Sequence, residues 1–189
     1  MKAFVINLKE RPERLSDFRS IDLPFEVEHQ CSEKKDDGSL GCILSHMECY
    51  KRFESGINII FEDDCEMVSD IDIMFKAFDE LGEDWDMLYL GAMVHGPIFK
   101  NTEHTDHVKD AWTTHAIAYN GRKVADHILG FSASHIRASR RNIDTFLVYE
   151  IQKNPSFRCF LTNPQIFIQK ENYSDVINQQ RIYEWKYGR

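Results

Sequence analysis

The sequence predicts an α/β protein with a mainly parallel central sheet and helices on both faces. Short apolar runs rich in Val, Ile and Phe alternate along the chain with segments whose apolar residues recur every three or four positions. Strands alternating with helices are typical of parallel sheets, whose ligands bind at the carboxyl ends of the strands. At 189 residues the chain has the length of one domain, so we expect a single domain over 1–189.

The first half of the chain predicts three strand–helix pairs. The helix at 40–55 has the clearest support, because its apolar side chains share one helix face and Gly56 supplies a stop signal. The predicted elements are a strand at 3–8, a helix beginning near Pro12, a strand at 24–29, the helix at 40–55, a strand at 57–61 and a helix at 70–81.

The second half is less regular. Residues 95–109 form a polar segment rich in Gly, Pro and His, which we interpret as a loop, either a functional flap or a disordered stretch. The tail from 174 is polar and gives little structural signal. The other predicted elements are strands at 86–90 and 116–119, helices at 122–129 and 142–152, and a closing pair of strands at 158–161 and 165–169.

Composition excludes several classes of function. A formal net charge of −8 and a pI near 5.5 argue against a nucleic-acid-binding surface. Five cysteines without a C-x-x-C pair argue against a disulfide framework or a zinc ribbon and favour a reducing, cytoplasmic location. The first apolar run is too short for a signal peptide, and no window approaches the roughly 20 apolar residues of a membrane span. Peripheral membrane association stays open.

An acidic triplet follows the strand predicted at 57–61. On extended backbone, Glu62 and Asp64 project to the same side and Asp63 to the other, so two carboxylates converge on one point. Such oxygen ligands suit Mg²⁺ or Mn²⁺, which complete their coordination with water and substrate phosphates. The alternative is that the acids cap the next helix or face solvent. The buried run before the triplet favours the metal site.

Two groups of polar residues are candidates for the same edge of the sheet. Arg11 and Arg14 are three residues apart after the first strand and could give bidentate contacts to a nucleotide diphosphate, although such a pair is more often a solvated helix face. Ser45 and His46 lie early in the helix at 40–55 and could hydrogen-bond a ligand. Periodicity alone favours a polar helix face for them.

Five ordered segments together resemble glycosyltransferase family 25, which includes lipooligosaccharide galactosyltransferases and collagen hydroxylysine galactosyltransferases. The segments are VINLKERPER, LGCILSH, IIFEDD, WDMLYLG and THAIAYNGRKVADHIL. The resemblance covers residues 3 to about 130, and NIDTF and NPQIFIQ resemble the more weakly marked end of the family. It implies a GT-A-like nucleotide-sugar-binding fold, with a donor half at 1–92 and an acceptor half at 93–189. It also implies a UDP-sugar donor, most often UDP-galactose, inversion at the anomeric carbon, and a glycan or glycoconjugate acceptor.

The resemblance also assigns roles to residues of this chain. Glu62, Asp63 and Asp64 stand where the family carries its DxD-like metal motif. His115, in the THAY-like segment, is a candidate further ligand, and we expect Mn²⁺ or Mg²⁺ on Glu62, Asp64 and His115. Asp144 stands where the family has a late Asp near its acceptor region, and we take it as the first candidate for the catalytic base, with Asp63 second. The expected donor-binding residues are Asn7, Arg11, Arg14, Ser45, His46, Glu62 and Asp63.

Two other functions remain open from the sequence. A metal-dependent phosphohydrolase would share the carboxylate site but cleave phosphate esters by water attack without preference for a sugar nucleotide. A non-catalytic nucleotide-sugar or glycan-binding module would keep the donor site and lack a base. Both alternatives are distinguished from a transferase by the products formed from a UDP-sugar.

Overall fold

The computed structural model describes residues 1–170 in full and the backbone of two short strands at Tyr173–Ser174 and Gln179–Gln180. It is an α/β structure in which an eight-stranded sheet is covered by helices on both faces, as the sequence predicts. Within the part of the chain that is described, none of the helices is both long and apolar enough to span a membrane.

The helices and strands alternate in the first half of the chain and become irregular in the second. The helices are α1 (Pro12–Arg19), α2 (Gly38–Lys51), α3 (Asp72–Leu81), α4 (Lys123–Leu129), α5 (Ala133–Arg140) and α6 (Ile143–Phe146), the last continued by a π-helical segment at Leu147–Gln152. The strands are β1 (Lys2–Leu8), β2 (Glu28–Ser32), β3 (Ile57–Glu62), β4 (Cys65–Met67), β5 (Met87–Tyr89), β6 (Met93–Val94), β7 (Phe99–Lys100), β8 (Thr105–His107), β9 (Ala111–Trp112), β10 (Ala116–Asn120), β11 (Cys159–Thr162), β12 (Phe167–Gln169), β13 (Tyr173–Ser174) and β14 (Gln179–Gln180).

The main sheet is mixed rather than mainly parallel in its pairing. Its order is β2-β1-β3-β10-β5-β11-β8-β7. Three neighbouring pairs are parallel (β1 with β2, β1 with β3, β5 with β11) and the other four are antiparallel. These pairings make β10 and β8 run opposite to the other six strands. The chain between β5 and β10 contains only short strands, and without a crossover helix it returns in the antiparallel direction.

Two hydrophobic layers hold the helices against the sheet. Side chains alternate along β3, so that Ile59 and Phe61 pack under α1 and α3 while Ile60 packs under α2 on the opposite face. Helices α4, α5 and α6 join α2 on that second face. The sheet is therefore buried on both sides, which explains why its central strands are continuous apolar runs.

Several predicted elements are placed differently by the structure. The strand expected at 24–29 is β2, which begins only at Glu28 because it follows the register of β1. The expected loop at 95–109 contains β7 and β8, which extend the sheet edge. The strands expected at 158–161 and 165–169 do not pair together: β11 joins the main sheet, whereas β12 pairs with β4. Helix α5 was not predicted, and of the tail only β13 and β14 are described.

A close backbone approach at Gly91 fixes β12 beside the end of β5. A Cβ atom on Gly91 would lie 1.8 Å from the carbonyl oxygen of Phe167 and 2.8 Å from Nε2 of His115. We expect Gly91→Ala to lower the free energy of unfolding by at least about 2 kcal/mol, because backbone must move to make room. Thermal or urea unfolding measures this loss. Gly56→Ala is the matched control, since nothing lies within 4 Å of its added Cβ; equal stability of the two variants would contradict the packing.

Candidate functional site

The acidic triplet lies at the carboxyl end of two neighbouring parallel strands, as the sequence predicts. In the register of β1 and β3, Ile6 is opposite Glu62, and the amide of Asp63 donates to the carbonyl of Ile6 at 3.1 Å. The strand ends at Glu62, and the chain turns through 63–64 before β4 begins. Because this turn is not extended, the expected alternation of the three side chains does not apply. All three face one cleft.

The cleft has a volume of about 130 Å³ and lies between the ends of β1 and β3, the loop before α2, and the first turns of α2. The acidic triplet lines the cleft from the end of β3, whereas Lys34, Lys35 and a further acid, Glu33, line it from the loop before α2, and Arg14 lines it from α1. Its lining residues are Ile6, Leu8, Arg14, Glu33, Lys34, Lys35, Gly38, Gly41, Cys42, Ser45, Glu62, Asp63, Asp64 and Gln169.

Glu62 is held as a carboxylate by two side chains from other elements. The hydroxyl of Thr114 donates to Oε1 of Glu62 at 2.6 Å, and Nε2 of His46 lies 3.0 Å from the same oxygen. Burial raises the pKa of Glu62, but the hydrogen bonds from His46 and Thr114 outweigh it and lower the pKa below its ordinary value. Glu62 is therefore a fixed negative charge at the floor of the cleft.

Asp63 contacts Asn7 and Arg14 rather than standing free in the cleft. Nδ2 of Asn7 donates to Oδ2 of Asp63 at 2.7 Å, and a guanidinium nitrogen of Arg14 lies 3.6 Å from Oδ1. Burial raises the pKa of Asp63 to about 6, with a contribution from the charge of Glu62, against the opposing effect of Asn7 and Arg14. Both oxygens of Asp63 are thus engaged.

Asp64 has one carboxylate oxygen that the described residues leave unpaired. Nε2 of Gln169 donates to Oδ2 at 2.8 Å, and the amide of Lys170 donates to the backbone oxygen of Asp64 at 2.7 Å. Oδ1 is buried and has no hydrogen-bond partner within residues 1–170. Burial and the charge of Glu62 raise the pKa of Asp64 to about 7. A cation at Oδ1 would remove both the unpaired oxygen and the like-charge repulsion.

Asp64→Asn is expected to stabilise the metal-free protein at neutral pH. The pKa of Asp64 in the folded protein lies above its value in the unfolded chain. The contribution of Asp64 to the free energy of unfolding is therefore fully present below about pH 4 and is lost as the pH rises to about 7. Asn carries no charge and keeps an acceptor for Gln169. The stability difference between variant and wild type should therefore widen over that window to roughly 1–3 kcal/mol. Unfolding experiments in chelator at several pH values measure this stability difference. A difference that narrows as the pH rises would contradict the raised pKa of Asp64.

The amide of Glu62 donates to the carbonyl of His115 at 2.8 Å, so the two residues are neighbours, but the side chains of His115, Glu62 and Asp64 are not gathered around one point. His115 is fully buried, its Nδ1 lies 3.0 Å from the hydroxyl of Thr113, and burial lowers its pKa to about 4. Across residues 1–170, the ligand atoms of these three residues do not form a group in which all lie within 4.8 Å of one another. His115 directly precedes β10 and is buried against β12, where its Nε2 lies 3.4 Å from the carbonyl oxygen of Phe167, an environment that its position in the motif did not reveal.

The two arginines of the predicted pair have separate environments. Arg14 lines the cleft, is only 11% exposed and pairs with Asp63. Arg11 pairs with Glu13 at 3.8 Å and is not a lining residue. Arg11 precedes the first turn of α1, so the helical spacing that would align it with Arg14 has not begun. Ser45 also lines the cleft, and its hydroxyl donates to the carbonyl of Gly41 at 2.9 Å.

The cationic side of the cleft was not predicted from the sequence. Lys34 and Lys35 come from the loop before α2, where the KKDDGS cluster indicates only a polar connection and a helix start. The first turn of α2 also opens into the cleft, with Asp37 as its N-cap: Oδ1 accepts from the amide of Leu40 at 3.1 Å. Arg137 of α5 holds Asp37 with two hydrogen bonds. Lysines and a helix N-terminus together attract anions such as phosphate.

Asp144 lies beyond the cleft lining, on α6. Its Oδ1 accepts from the amide of Thr145 at 3.0 Å. Burial raises the pKa of the Cys42 thiol, and the charges of Glu62, Asp144 and Asp64 raise it further. Asp144 is therefore within electrostatic range of the cleft residue Cys42, on the helix side of the acidic triplet. Packing of α2 against α6 sets this position.

No protein-family model matches the chain, and a search of curated proteins finds no significant match. The structure is that of an α/β protein with a cleft at the carboxyl ends of parallel strands, in which the three carboxylates of the acidic triplet lie with the cationic side chains of Arg14, Lys34 and Lys35. A functional assignment depends on the chemistry of these residues.

Proposed function

We propose that the protein is a metal-dependent inverting glycosyltransferase with a GT-A-like fold. It transfers a hexose, with galactose favoured, from a UDP-sugar to a hydroxyl group of a glycan or glycoconjugate. The observation that carries this proposal is the pairing of carboxylates with Arg14, Lys34 and Lys35 in one cleft at the ends of parallel strands. A nucleotide diphosphate that binds through a divalent ion needs both kinds of group, because the ion requires oxygen ligands and the remaining phosphate charge requires cations.

The carboxylates fit Mn²⁺ or Mg²⁺. Asp64 offers a buried oxygen without a hydrogen-bond partner in the described part of the chain, and Glu62 offers a second carboxylate in the same cleft. Their hard oxygen donors are the ligands these ions prefer, and an incomplete protein shell leaves positions for water and phosphate. When bound, the ion supplies Lewis-acid stabilisation of the charge that develops on the departing diphosphate.

The cationic groups position the donor. Arg14 and Lys35 neutralise phosphate oxygens that the ion does not contact, and the N-terminus of α2 contributes backbone amides near Gly38. Asn7 is held in place by two bonds from its Nδ2, to Asp63 and to the carbonyl of Arg11. Its side-chain oxygen is the group that remains for a polar contact with the nucleotide.

A carboxylate activates the acceptor. Transfer breaks the bond between the anomeric carbon and the diphosphate oxygen, forms a bond from that carbon to the acceptor oxygen, and moves the hydroxyl proton to a base. Asp63 is poorly suited to this role because Asn7 and Arg14 occupy its oxygens. Asp144 is the first candidate because it stands where the resembled family has a late Asp; it lies on α6 beyond the cleft lining, and its charge contributes to the raised pKa of Cys42, a lining residue.

Release of UDP from a panel of UDP-sugars, with Mn²⁺ and with chelator, tests the proposed function. We expect Mn²⁺-dependent release with a preference for UDP-galactose, because donor hydrolysis does not require the natural acceptor. Liberation of inorganic phosphate from many phosphate esters would favour a phosphohydrolase. Calorimetric binding of UDP without turnover on any acceptor would favour a binding module.

A further inference from the structure

A second group of potential metal ligands lies on the helix side of the cleft. Cys42 and His46 are four residues apart on α2 and therefore share one helix face. Glu62, at the end of β3, meets that face. One ligand atom from each of the three residues lies within 4.8 Å of the others, and Nε2 of His46 is 3.0 Å from Oε1 of Glu62. Ligands of a tetrahedral zinc ion with bonds near 2.0–2.1 Å are about 3.3 Å apart.

His46 is fully buried, and the ring nitrogen that faces Glu62 is Nε2. This nitrogen would bind the ion, so its contact with Oε1 of Glu62 would be replaced by one bond from each atom to the shared ion. Nδ1 has no hydrogen-bond partner in the range 1–170 and would carry the ring proton. Cys42 is half-buried and lines the cleft, which gives an ion a path from solvent.

We propose that Cys42, His46 and Glu62 form a binding site for a divalent transition-metal ion that accepts a thiolate ligand, such as Zn²⁺. Binding breaks the S–H bond of Cys42, passes its proton to solvent and forms a sulfur–metal bond, without any change of oxidation state. A sulfur, nitrogen and oxygen set selects Zn²⁺ or Co²⁺ over Mg²⁺ and Mn²⁺, which prefer oxygen. Three protein ligands are the number found at open zinc sites, with the fourth position left to water or substrate.

This metal site is not part of the proposed transferase mechanism. It is inferred from the positions of its ligand atoms and does not require that the protein be catalytically active. Glu62 belongs both to this group and to the oxygen-donor pair with Asp64. The two kinds of ion should therefore compete for the cleft, and Zn²⁺ should displace Mn²⁺.

Titration of the chelator-treated protein with Co²⁺, under reducing and oxygen-free conditions, tests the site without an activity assay. Thiolate ligation gives a near-ultraviolet sulfur-to-cobalt charge-transfer band, and four-coordination gives intense visible bands. We expect these bands in the wild type, their loss on addition of Zn²⁺, and at least roughly 100-fold weaker Zn²⁺ binding in Cys42→Ser. Cys31→Ser is the matched control, since Cys31 is an exposed thiol outside the group. Circular dichroism checks that the variants are folded.

Absence of a thiolate band in the wild type, or an unchanged band in folded Cys42→Ser, would overturn the inference. Should Cys42→Ser fail to fold, Glu62→Gln replaces it, and an unchanged visible spectrum in that variant would also refute the site. Failure of this site is distinguishable from failure of the proposed function. Mn²⁺-dependent UDP release without a cobalt–thiolate band would refute the site alone. The band in a protein that neither releases UDP from any UDP-sugar nor binds UDP in calorimetry would refute the transferase alone.

Discussion

Asp64→Asn is expected to lower Mn²⁺-dependent UDP release from UDP-galactose by about 100- to 1,000-fold. A divalent ion contributes several kcal/mol of charge stabilisation in the transition state, and each 1.36 kcal/mol is a tenfold change in rate. Asp64 provides the buried oxygen that lacks a partner in the described chain, and the amide removes its charge without changing its size. The bond from Gln169 has an acceptor in either side chain. Initial rates at saturating UDP-galactose, over a range of Mn²⁺ concentrations, measure the effect.

The same substitution is expected to increase stability, which separates loss of the site from loss of the fold. Glu66→Gln is the matched control, because Glu66 is an exposed acid two residues further along and does not line the cleft. It should keep wild-type turnover and wild-type Mn²⁺ dependence. Full activity in Asp64→Asn would show that the ion, if one is required, is held by other residues.

The fold was predictable where local pattern and tertiary packing agree. The existence of helix α2 follows from the spacing of its apolar residues and that of strand β3 from its continuous apolar run, although α2 ends at Lys51 rather than at the stop expected at Gly56. The direction of β10 was not predictable, since a short apolar run is identical in parallel and antiparallel pairing. Strand β7 at the sheet edge and its neighbour β8 were missed because both are only two or three residues long and lie in a polar stretch that resembles a loop.

The candidate site, like the fold, was predictable only where the local sequence determines it. The location of Glu62, Asp63 and Asp64 follows from their position after a buried strand, which the sequence displays. Gln169 contacts Asp64 from 105 residues away, and no local pattern identifies such a partner. The environment of His115 depends equally on β12, a distant strand. Sequence reasoning therefore finds the acidic triplet and misses both the lysines of the loop before α2 and the distant neutral group that contacts Asp64.

The two candidate bases are expected to affect different kinetic constants. Asp144→Asn should lower kcat by about 10²- to 10⁴-fold with little change in the KM for UDP-galactose, because a general base acts on the reacting proton and not on the donor. Asp63→Asn should chiefly raise that KM. It places an amide beside Arg14 and removes the negative charge that holds Asn7 and Arg14 at the proposed donor site.

Steady-state kinetics of UDP release for both variants separates these roles. Asp144→Asn keeps an oxygen that accepts from the amide of Thr145, so the start of α6 should remain intact. Asp70→Asn is the matched control, because Oδ1 of Asp70 likewise accepts a backbone amide, that of Asp72, but lies outside the cleft. A fall in kcat for Asp63→Asn with normal turnover in Asp144→Asn would reverse the assignment. It would place the base within the acidic triplet, where Asn7 and Arg14 would have to release Asp63 before it could accept a proton.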